Sequence, residues 1–324
     1  MLLPDYQFSK PATLAEALAV LQSGPGEVRL LAGGTDVIFN MRGRLFTPDI
    51  LLSLRDLPEL QGVSQLPDGS LSLGAGCRLT DLERHPQVKR YPGLVSALRA
   101  VASRHVRNMA TLGGNLNLDT RCWYTNQTAE WRKAKGPCLK TGVDACHAIK
   151  SSPVCVALNA SDTAPAFVVL NASAVLASAR GERTVRLADF YTDDGIAHTL
   201  RQPDEIMRAI ILPPPAGRMV YIKETARKGN DFAYATIAAW ADGAGEQCSH
   251  LRIALGSLTT RPLALQALAD ELVANGMSDG AIAAAAEHVR GALGTLTNLY
   301  TPAAYKGRIA RSLFIEALEQ LRDL

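Results

Sequence analysis

The sequence predicts an α+β protein with two domains, and three observations support this prediction. Strand-like and helix-like segments alternate in the first part of the chain. A linker follows, formed by Pro213, Pro214, Pro215 and Gly217. Strand-like segments and then long alanine- and leucine-rich segments with helical period come after it. We therefore place one domain at residues 1–215, divided at about residue 57, and a second at residues 216–324.

The first subdomain, residues 1–57, is predicted to be a small β-α-β unit. Thr13 and Glu16 form a T-x-x-E capping box before an amphipathic helix that ends near Gly24 and Gly26. The run VRLLAGGTDVIF then has the character of an apolar strand interrupted by two glycines. ILLSL, residues 50–54, has that of a second buried strand.

The second subdomain, residues 58–215, mixes short strands and helices. Residues 71–73 are predicted to form a strand, residues 80–83 a second capping box, and residues 94–107 a helix. AFVVLNASAVLAS is predicted to form paired strands that turn near Asn171. GAGCRL begins like a dinucleotide fingerprint but lacks the third glycine, so we predict only a turn there.

The C-terminal domain combines strands with later helices. MVYIKETA, YATIAAWA and HLRIALGS alternate with turn residues and predict a three-stranded antiparallel sheet. SDGAIAAAAEHVRGAL and YKGRIARSLFIEALEQLRDL are helical in period and predict two helices packed on it.

Composition excludes several classes of function. A net charge of +3 is too small to argue for nucleic-acid binding. The first residues lack a basic start and an apolar run, so we expect a cytoplasmic protein with reduced thiols. The longest weakly polar stretch, residues 166–179, is too short and too interrupted for a membrane span. No Ser/His/Asp arrangement or H-E-x-x-H motif indicates a hydrolase.

Two glycine pairs are candidates for phosphate binding. Gly33-Gly34 follows an apolar strand and precedes Thr35, and Gly113-Gly114 lies between Thr111 and Asn115. Glycines allow backbone N–H groups to approach a phosphate closely, and the neighbouring hydroxyls add donors. One such pair usually marks only a tight turn. Two pairs beside hydroxyl residues favour a pyrophosphate site.

Four of the six cysteines fall within one 34-residue window, with the spacing C-x15-C-x7-C-x8-C. Residues 119–159, which contain the window, hold six basic and three acidic residues, whereas the rest of the chain is balanced. Basic surroundings favour thiolates or an anionic cluster, although a solvated basic loop would give the same count. The spacing lacks the C-x2-C pairs of ferredoxins and zinc ribbons and leaves open an iron–sulfur cluster, a structural zinc or plain thiols. The four are Cys122, Cys138, Cys146 and Cys155.

The ordered set AGGTD, NMATLGGNL, SD-x-A-P, EIM-x-x-I-x-LP and YIKETARKGNDFA resembles the FAD-binding subunit of the xanthine dehydrogenase and molybdenum hydroxylase family across almost the whole chain. The resemblance implies a vanillyl-alcohol-oxidase (PCMH) type FAD-binding domain followed by a small C-terminal α+β domain. FAD is the implied cofactor. Its implied contacts are Leu30, Leu31, Ala32, Gly33, Gly34, Thr35, Asp36, Val101, Thr111, Leu112, Gly113, Gly114, Asn115, Asp162, Met207 and Lys223.

The same resemblance implies particular roles for these residues. Residues 32–36 and 111–115 correspond to the two loops that hold the pyrophosphate. Asp162 corresponds to an acid near the adenosine half, Met207 to a residue beside the flavin, and Lys223 to a lysine close to the isoalloxazine. A lysine there would favour the anionic reduced flavin.

The cysteine window is an insertion relative to the family pattern. Asn115 and Ser161 are separated by 45 residues here, where the family has a short connection. Within the family the insertion, at about 119–159, is similar to that of the β subunit of 4-hydroxybenzoyl-CoA reductase, which implies a 4Fe-4S cluster on the four cysteines. Cys77 and Cys248 are expected to be buried core thiols. Trp123, Tyr124 and Trp131 are expected to pack the loop.

This resemblance implies an electron-transfer subunit of a molybdenum reductase that converts 4-hydroxybenzoyl-CoA to benzoyl-CoA on a partner chain. The implied partners are a molybdopterin-containing large subunit and a small subunit with two 2Fe-2S clusters, assembled as a dimer of heterotrimers. Reduced ferredoxin is the implied electron donor. Two alternatives stay open. One is the FAD subunit of an oxidising hydroxylase with a structural zinc loop. The other is a binding module without FAD.

Overall fold

A computed structural model describes residues 2–24, 26–227, 229–293 and 302–324. The chain begins with a three-stranded parallel sheet in the order β1-β3-β2, with one helix before and one helix after β2. These elements are β1 (Gln7–Ser9), α1 (Leu14–Ser23), β2 (Val28–Leu31), α2 (Val37–Arg42) and β3 (Ile50–Ser53).

The predicted start of α1 is confirmed, because Thr13 Oγ1 accepts from the Glu16 backbone N–H at 3.2 Å. The helix ends at Gly24, also as predicted. The prediction for VRLLAGGTDVIF is correct only for its first residues. The strand ends at Leu31, the glycines form a turn, and α2 begins after Asp36.

A five-stranded antiparallel sheet in the order β4-β5-β8-β6-β7 forms the second subdomain. Its strands are β4 (Val63–Gln65), β5 (Leu71–Gly74), β6 (Ser173–Ser178), β7 (Gly181–Arg186) and β8 (Ile206–Leu212). Seven short α-helices accompany the sheet within the described residues: α3 (Leu79–Leu82), α4 (Pro92–Ala100), α5 (Arg104–Arg107), α6 (Leu112–Leu116), α7 (Ala129–Lys135), α8 (Ala164–Val169) and α9 (Leu187–Phe190).

Three local predictions in this subdomain are wrong. The second capping box fails because α3 begins one residue before Thr80, whose hydroxyl is buried. The helix predicted over residues 94–107 breaks between α4 and α5, where Ala102 has a φ of +43°. The first of the paired strands is the helix α8. It is buried along its whole length, so hydrophobic period could not distinguish it from a strand. The turn at Asn171 is confirmed.

The C-terminal domain is a four-stranded antiparallel sheet in the order β12-β11-β10-β9, covered by helices. The elements are β9 (Arg218–Thr225), β10 (Ala233–Ala241), β11 (Leu251–Gly256), β12 (Leu263–Ala264), α10 (Gln266–Asn275), α11 (Asp279–Ala292) and α12 (Ala303–Asp323). The three predicted strands are confirmed, with a two-residue strand added at one edge.

The two domains share a hydrophobic core. Ala238, Trp240 and Ala254 of the C-terminal sheet belong to the same buried cluster as residues of α4 and α8 in the first domain. Trp240 Nε1 also donates to Ala216 O at 2.8 Å, and the Tyr91 hydroxyl donates to Pro213 O at 2.5 Å, so both sides hold the proline linker. Within the described ranges, no helix combines the length and apolar character that crossing a membrane requires.

Candidate functional site

A cavity of about 580 Å³ lies where the first sheet, the second subdomain and the C-terminal domain meet. This volume is within the usual range of small-molecule sites, roughly 300–1,000 Å³. The walls come from the β2–α2 turn, the start of α6, strand β8, residues 198–203 and the loop that follows β9. Lys228 of that loop lies outside the described residues.

The first glycine pair is required by close packing. A Cβ on Gly33 would lie 2.0 Å from Met109 O, and Gly34 has a φ of +74°. A side chain at Gly33 would therefore collide with the backbone, and one at Gly34 would be strained. The turn exposes its backbone to the cavity.

The second glycine pair faces the first. Thr111 caps α6 by accepting from the Gly114 backbone N–H at 3.1 Å, and the Gly113 N–H donates to Ala75 O at 2.7 Å. A Cβ on Gly114 would lie 3.8 Å from the Ala32 Cβ. The two loops predicted to hold a pyrophosphate therefore line the same cavity from adjacent walls.

Most of the predicted cofactor contacts line this cavity. Leu31, Leu112 and Lys223 are not part of its lining, and Leu112 is fully buried in the core. The predicted residues that line it are Leu30, Ala32, Gly33, Gly34, Thr35, Asp36, Val101, Thr111, Gly113, Gly114, Asn115, Asp162 and Met207.

Asp162 and Lys223 form a buried ion pair, with 2.8 Å between Oδ2 and Nζ. Lys223 Nζ also donates to Ala100 O at 2.9 Å. Burial raises the pKa of Asp162, and the neighbouring ammonium opposes this rise. Asp162 and Lys223 are therefore direct partners, and the roles that the resemblance implies for them at the adenosine and isoalloxazine parts of FAD stay predictions.

Four residues that line the cavity have a buried polar atom without a hydrogen-bond partner in the described part of the chain. The sequence alone did not indicate any of the four as a site residue. The atoms are Asn117 Oδ1, Asp119 Oδ2, Arg121 Nε and His198 Nε2. Buried polar atoms are normally satisfied, so this wall fits a polar ligand. Asn117 directly follows the motif NMATLGGNL, residues 108–116. We find no sequence signal for His198.

Arg121 connects three parts of the molecule. Its guanidinium forms an ion pair with Asp36 in the first glycine loop and lies 4.3 Å from the ring centroid of Phe232 in the C-terminal domain. Burial raises the pKa of Asp36, and Arg121 opposes that shift. Arg121 lies near the start of the insertion, so the insertion reaches the wall of the cavity. Ala75 and Gly76, predicted only as a turn, also line it.

The four clustered cysteines line a second, smaller cavity together with Tyr124, Lys140 and His147. The pKa of Cys122 is raised by burial and, to a lesser degree, by the nearby thiols of Cys138 and Cys146. Burial raises the pKa of Cys155 to about 11. In the described ranges, however, no three His, Cys, Asp or Glu side chains are arranged to hold a single metal ion.

Aromatic side chains pack the insertion as expected. Trp123 and Trp131 are 6.4 Å apart between ring centroids, and Tyr124 lies 5.3 Å from the ring of His147. His147 Nε2 is 3.1 Å from Gly136 O, which engages one of its two ring nitrogens. Cys77 and Cys248 are outside this cavity; Cys77 is buried and Cys248 is half-buried against the C-terminal core.

The insertion is anchored to α2, next to the first glycine loop. Arg132 donates to Gly43 O at 3.1 Å and to Arg44 O at 2.7 Å, and Asn126 Nδ2 donates to Asn40 Oδ1 at 3.4 Å. The cysteine cavity therefore has a fixed position relative to the larger cavity.

A cavity that is lined by two glycine loops, and by polar atoms that have no partner within the described residues, fits the class of proteins that bind a phosphate-containing cofactor. Residues 4–215 match the family described as the FAD binding domain in molybdopterin dehydrogenase, and residues 220–321 match the CO dehydrogenase flavoprotein C-terminal domain. The chain belongs to the FAD-binding, or medium-chain, subunits of the xanthine dehydrogenase and CO dehydrogenase family. The predicted fold class and FAD as cofactor are thereby confirmed.

Relatives of this family resemble the chain over most of its length. The aldehyde oxidoreductase FAD-binding subunit PaoB of Escherichia coli is 35% identical over 81% of this chain and 84% of its own. The carbon monoxide dehydrogenase medium chain of Hydrogenophaga pseudoflava is 27% identical over 98% and 97%. A structure of carbon monoxide dehydrogenase from that organism has a TM-score of 0.81 at 26% identity, covering 98% of both chains. Quinoline 2-oxidoreductase of Pseudomonas putida gives 0.80 at 25%, covering 99% and 98%.

Proposed function

We propose that this chain is the FAD and 4Fe-4S electron-transfer subunit of a molybdenum hydroxylase complex. One observation carries the proposal: all four cysteines of the insertion line one cavity, and the insertion also forms part of the FAD cavity wall. Arg121 and Cys122 are consecutive, and they line the larger and the smaller cavity respectively. The two cofactors would therefore be neighbours.

Four thiols that line one cavity could hold either kind of sulfur-bound metal group. A structural zinc takes four ligand atoms at about 2.3 Å from one ion, whereas a 4Fe-4S cluster takes one cysteine at each iron. We propose the cluster because the insertion resembles that of the β subunit of 4-hydroxybenzoyl-CoA reductase. A cluster, unlike zinc, would also carry electrons beside FAD.

The residues of the larger cavity are suited to bind FAD and to place polar and charged groups around it. The first glycine loop, residues 32–36, would supply backbone N–H groups for the pyrophosphate, and the second glycine loop lines the adjacent wall. Asn117 and His198 offer polar atoms that have no partner within the described residues. When bound, FAD accepts and donates electrons singly or in pairs. Asp36 and Arg121 form an ion pair in one wall, and Asp162, in another part of the lining, is paired with Lys223 behind it.

We propose that the complex oxidises a substrate of the aldehyde class and passes electrons outward through this chain. The support is the 35% identity with the FAD-binding subunit of an aldehyde oxidoreductase. The substrate would react on a molybdopterin-containing large subunit, with two 2Fe-2S clusters on a small subunit between molybdenum and FAD. A dimer of heterotrimers is the proposed assembly.

A second candidate function is the reverse direction of electron flow. The resemblance of the insertion to the β subunit of 4-hydroxybenzoyl-CoA reductase favours it. In this alternative, reduced ferredoxin would supply electrons at the 4Fe-4S cluster, and the large subunit would dehydroxylate 4-hydroxybenzoyl-CoA. A low-potential cluster is suited to this demanding reduction.

The experiment is purification of the three-subunit complex without oxygen, followed by activity in both directions. Aldehydes with an artificial electron acceptor test the oxidising route, and 4-hydroxybenzoyl-CoA with reduced ferredoxin tests the reducing one. Aldehyde-dependent bleaching of the flavin absorbance supports the leading proposal. Benzoyl-CoA formation without aldehyde oxidation would replace it with the second candidate, and a complex without FAD would contradict both.

A further inference from the structure

A buried ammonium group lies in the wall between the two cavities. Lys140 lines the cysteine cavity, and its side chain is only 9% exposed. Its Nζ donates to Asp119 Oδ1 at 2.8 Å, to Thr120 O at 2.9 Å and to Thr120 Oγ1 at 2.6 Å. These contacts use all three N–H donors of the ammonium, so its position is fixed.

The carboxylate partner belongs to the other cavity. Asp119 lines the FAD cavity, and its Oδ2 is buried without a hydrogen-bond partner in the part of the chain that the structure describes. His198, which also lines that cavity, has its Nδ1 3.8 Å from Asp119 Oδ1. One ion pair therefore has its cation in one cavity wall and its anion in the other.

The same wall is held by the loop of residues 191–199. The Gly195 N–H donates to Cys155 O at 2.7 Å, and Thr120 Oγ1 donates to Gly195 O. A Cβ on Gly195 would lie 2.9 Å from Cys155 Sγ, so the loop packs directly against a cluster cysteine. Three residues later the loop places His198 at the FAD cavity. The wall is thus tightly packed.

We propose that the ion pair of Lys140 and Asp119 couples the two redox centres electrostatically, because its charges act on the midpoint potentials of both. Lys140 is the positioning residue of this pair. The proposal rests on the FAD and iron–sulfur function proposed above. Each electron adds negative charge to the centre that receives it. The ammonium stabilises the reduced cluster on its own side, and it offsets the Asp119 carboxylate that would disfavour reduced flavin on the other. Because the pair is excluded from water, these interactions are little screened.

The test is a redox titration of the anaerobic three-subunit complex, reduced stepwise with dithionite. The flavin is followed by absorbance and the cluster by electron paramagnetic resonance. Lys140→Met should shift both midpoint potentials to more negative values. Lys140→Arg, which keeps the charge, should recover most of the shift. Lys133→Met is the matched control, because Lys133 is an exposed lysine of the same insertion, and it should leave both potentials unchanged.

Asp119→Asn is the second variant and leaves Lys140 in place. Removing the carboxylate should shift both potentials to more positive values. If the Lys140→Met complex does not bind iron, the potentials of the Asp119→Asn complex test the proposed coupling. Unchanged potentials in Asp119→Asn, or in Lys140→Met with iron and FAD intact, would overturn the coupling alone. A wild-type complex without iron would overturn the iron–sulfur proposal and the coupling together.

Discussion

Lys223 Nζ lies 2.8 Å from Asp162 Oδ2, and this ion pair joins strand β9 of the C-terminal domain to the segment before α8 in the FAD-binding domain. The side chains are 8% and 10% exposed, so neither charge is well solvated. Removing one partner from a buried pair leaves the other charge uncompensated. The contact between the two domains beside the FAD cavity therefore depends on both residues.

Lys223→Met should lower the free energy of unfolding by about 3 kcal/mol, because the Asp162 carboxylate would stay buried without its counter-ion. Denaturant unfolding of the purified chain measures this effect. Lys10→Met is the control, since Lys10 pairs with Asp56 at the surface with exposures of 62% and 52%. It should change stability by less than about 1 kcal/mol. Equal losses in the two variants would contradict the assigned role of the buried pair.

Gly33→Ala should abolish FAD retention, because the new methyl group would lie 2.0 Å from Met109 O and displace the first glycine loop. The measurement is the ratio of flavin absorbance to protein after purification. Gly280→Ala is the matched control, since no atom lies within 4 Å of a Cβ built there. If Gly33→Ala kept its full FAD content, the close approach of this loop would not be needed for binding.

Arg121→Met should weaken FAD binding by roughly 10-fold to 100-fold, because it removes the ion pair with Asp36 and the stacking on Phe232. Arg121→Lys should recover only part of the affinity, since an ammonium cannot stack as a planar guanidinium does. Flavin fluorescence quenching measures the affinity. Arg84→Met, at a side chain that is 53% exposed, is the control. Full recovery in Arg121→Lys would mean that charge alone matters.

Lys306→Met should stabilise the chain near neutral pH. Lys306 is 5% exposed, its Nζ has no hydrogen-bond partner within the described ranges, and burial lowers its pKa to about 8 from 10.5. Between these values the unfolded chain binds more protons than the folded one, so wild-type stability should rise with pH across this window. At pH 7 the variant should gain up to about 3 kcal/mol.

Unfolding experiments from pH 7 to pH 10 test this prediction. The rise in stability should be present in the wild-type chain and absent from Lys306→Met. Lys89→Met, at an exposed lysine, should keep the wild-type pH profile. A flat wild-type profile would contradict the prediction, because it would mean that burial does not lower the pKa of Lys306 in the folded chain.

Local signals in the sequence predicted much of the fold. The capping box at Thr13 and the alternating strands of the C-terminal sheet each depend on neighbouring residues, and both are present in the structure. Helix α8 was misassigned because it is buried on every side, which removes the period that identifies a helix. The break at Ala102 depends on a left-handed backbone conformation that no glycine signalled.

The candidate site, like the fold, could be predicted from the sequence only in part. The two glycine loops could be recognised because glycine has a local conformational reason to be there. The roles of Arg121, Asp119 and His198 could not be recognised from the sequence, since they arise from contacts between residues that are far apart along the chain. Arg121 meets Asp36, which is 85 residues away, and His198 approaches Asp119 only after the chain has folded. For the same reason the sequence did not reveal that Asp162 and Lys223 are partners.

Cys138→Ser should remove the iron–sulfur signal and leave FAD bound, because the cysteines and the glycine loops lie on different segments. Cys248→Ser, outside the cysteine cavity, is the control and should keep both cofactors. Iron content and flavin absorbance are measured on the same samples. Loss of FAD together with iron in Cys138→Ser would mean that the insertion is an integral part of the flavin site.

The most direct test of the account is the iron, sulfide and zinc content of the wild-type chain, purified without oxygen. We predict about four irons and four sulfides per chain, as one 4Fe-4S cluster requires. About one zinc per chain without iron would contradict this prediction. It would make the insertion a structural loop beside the flavin.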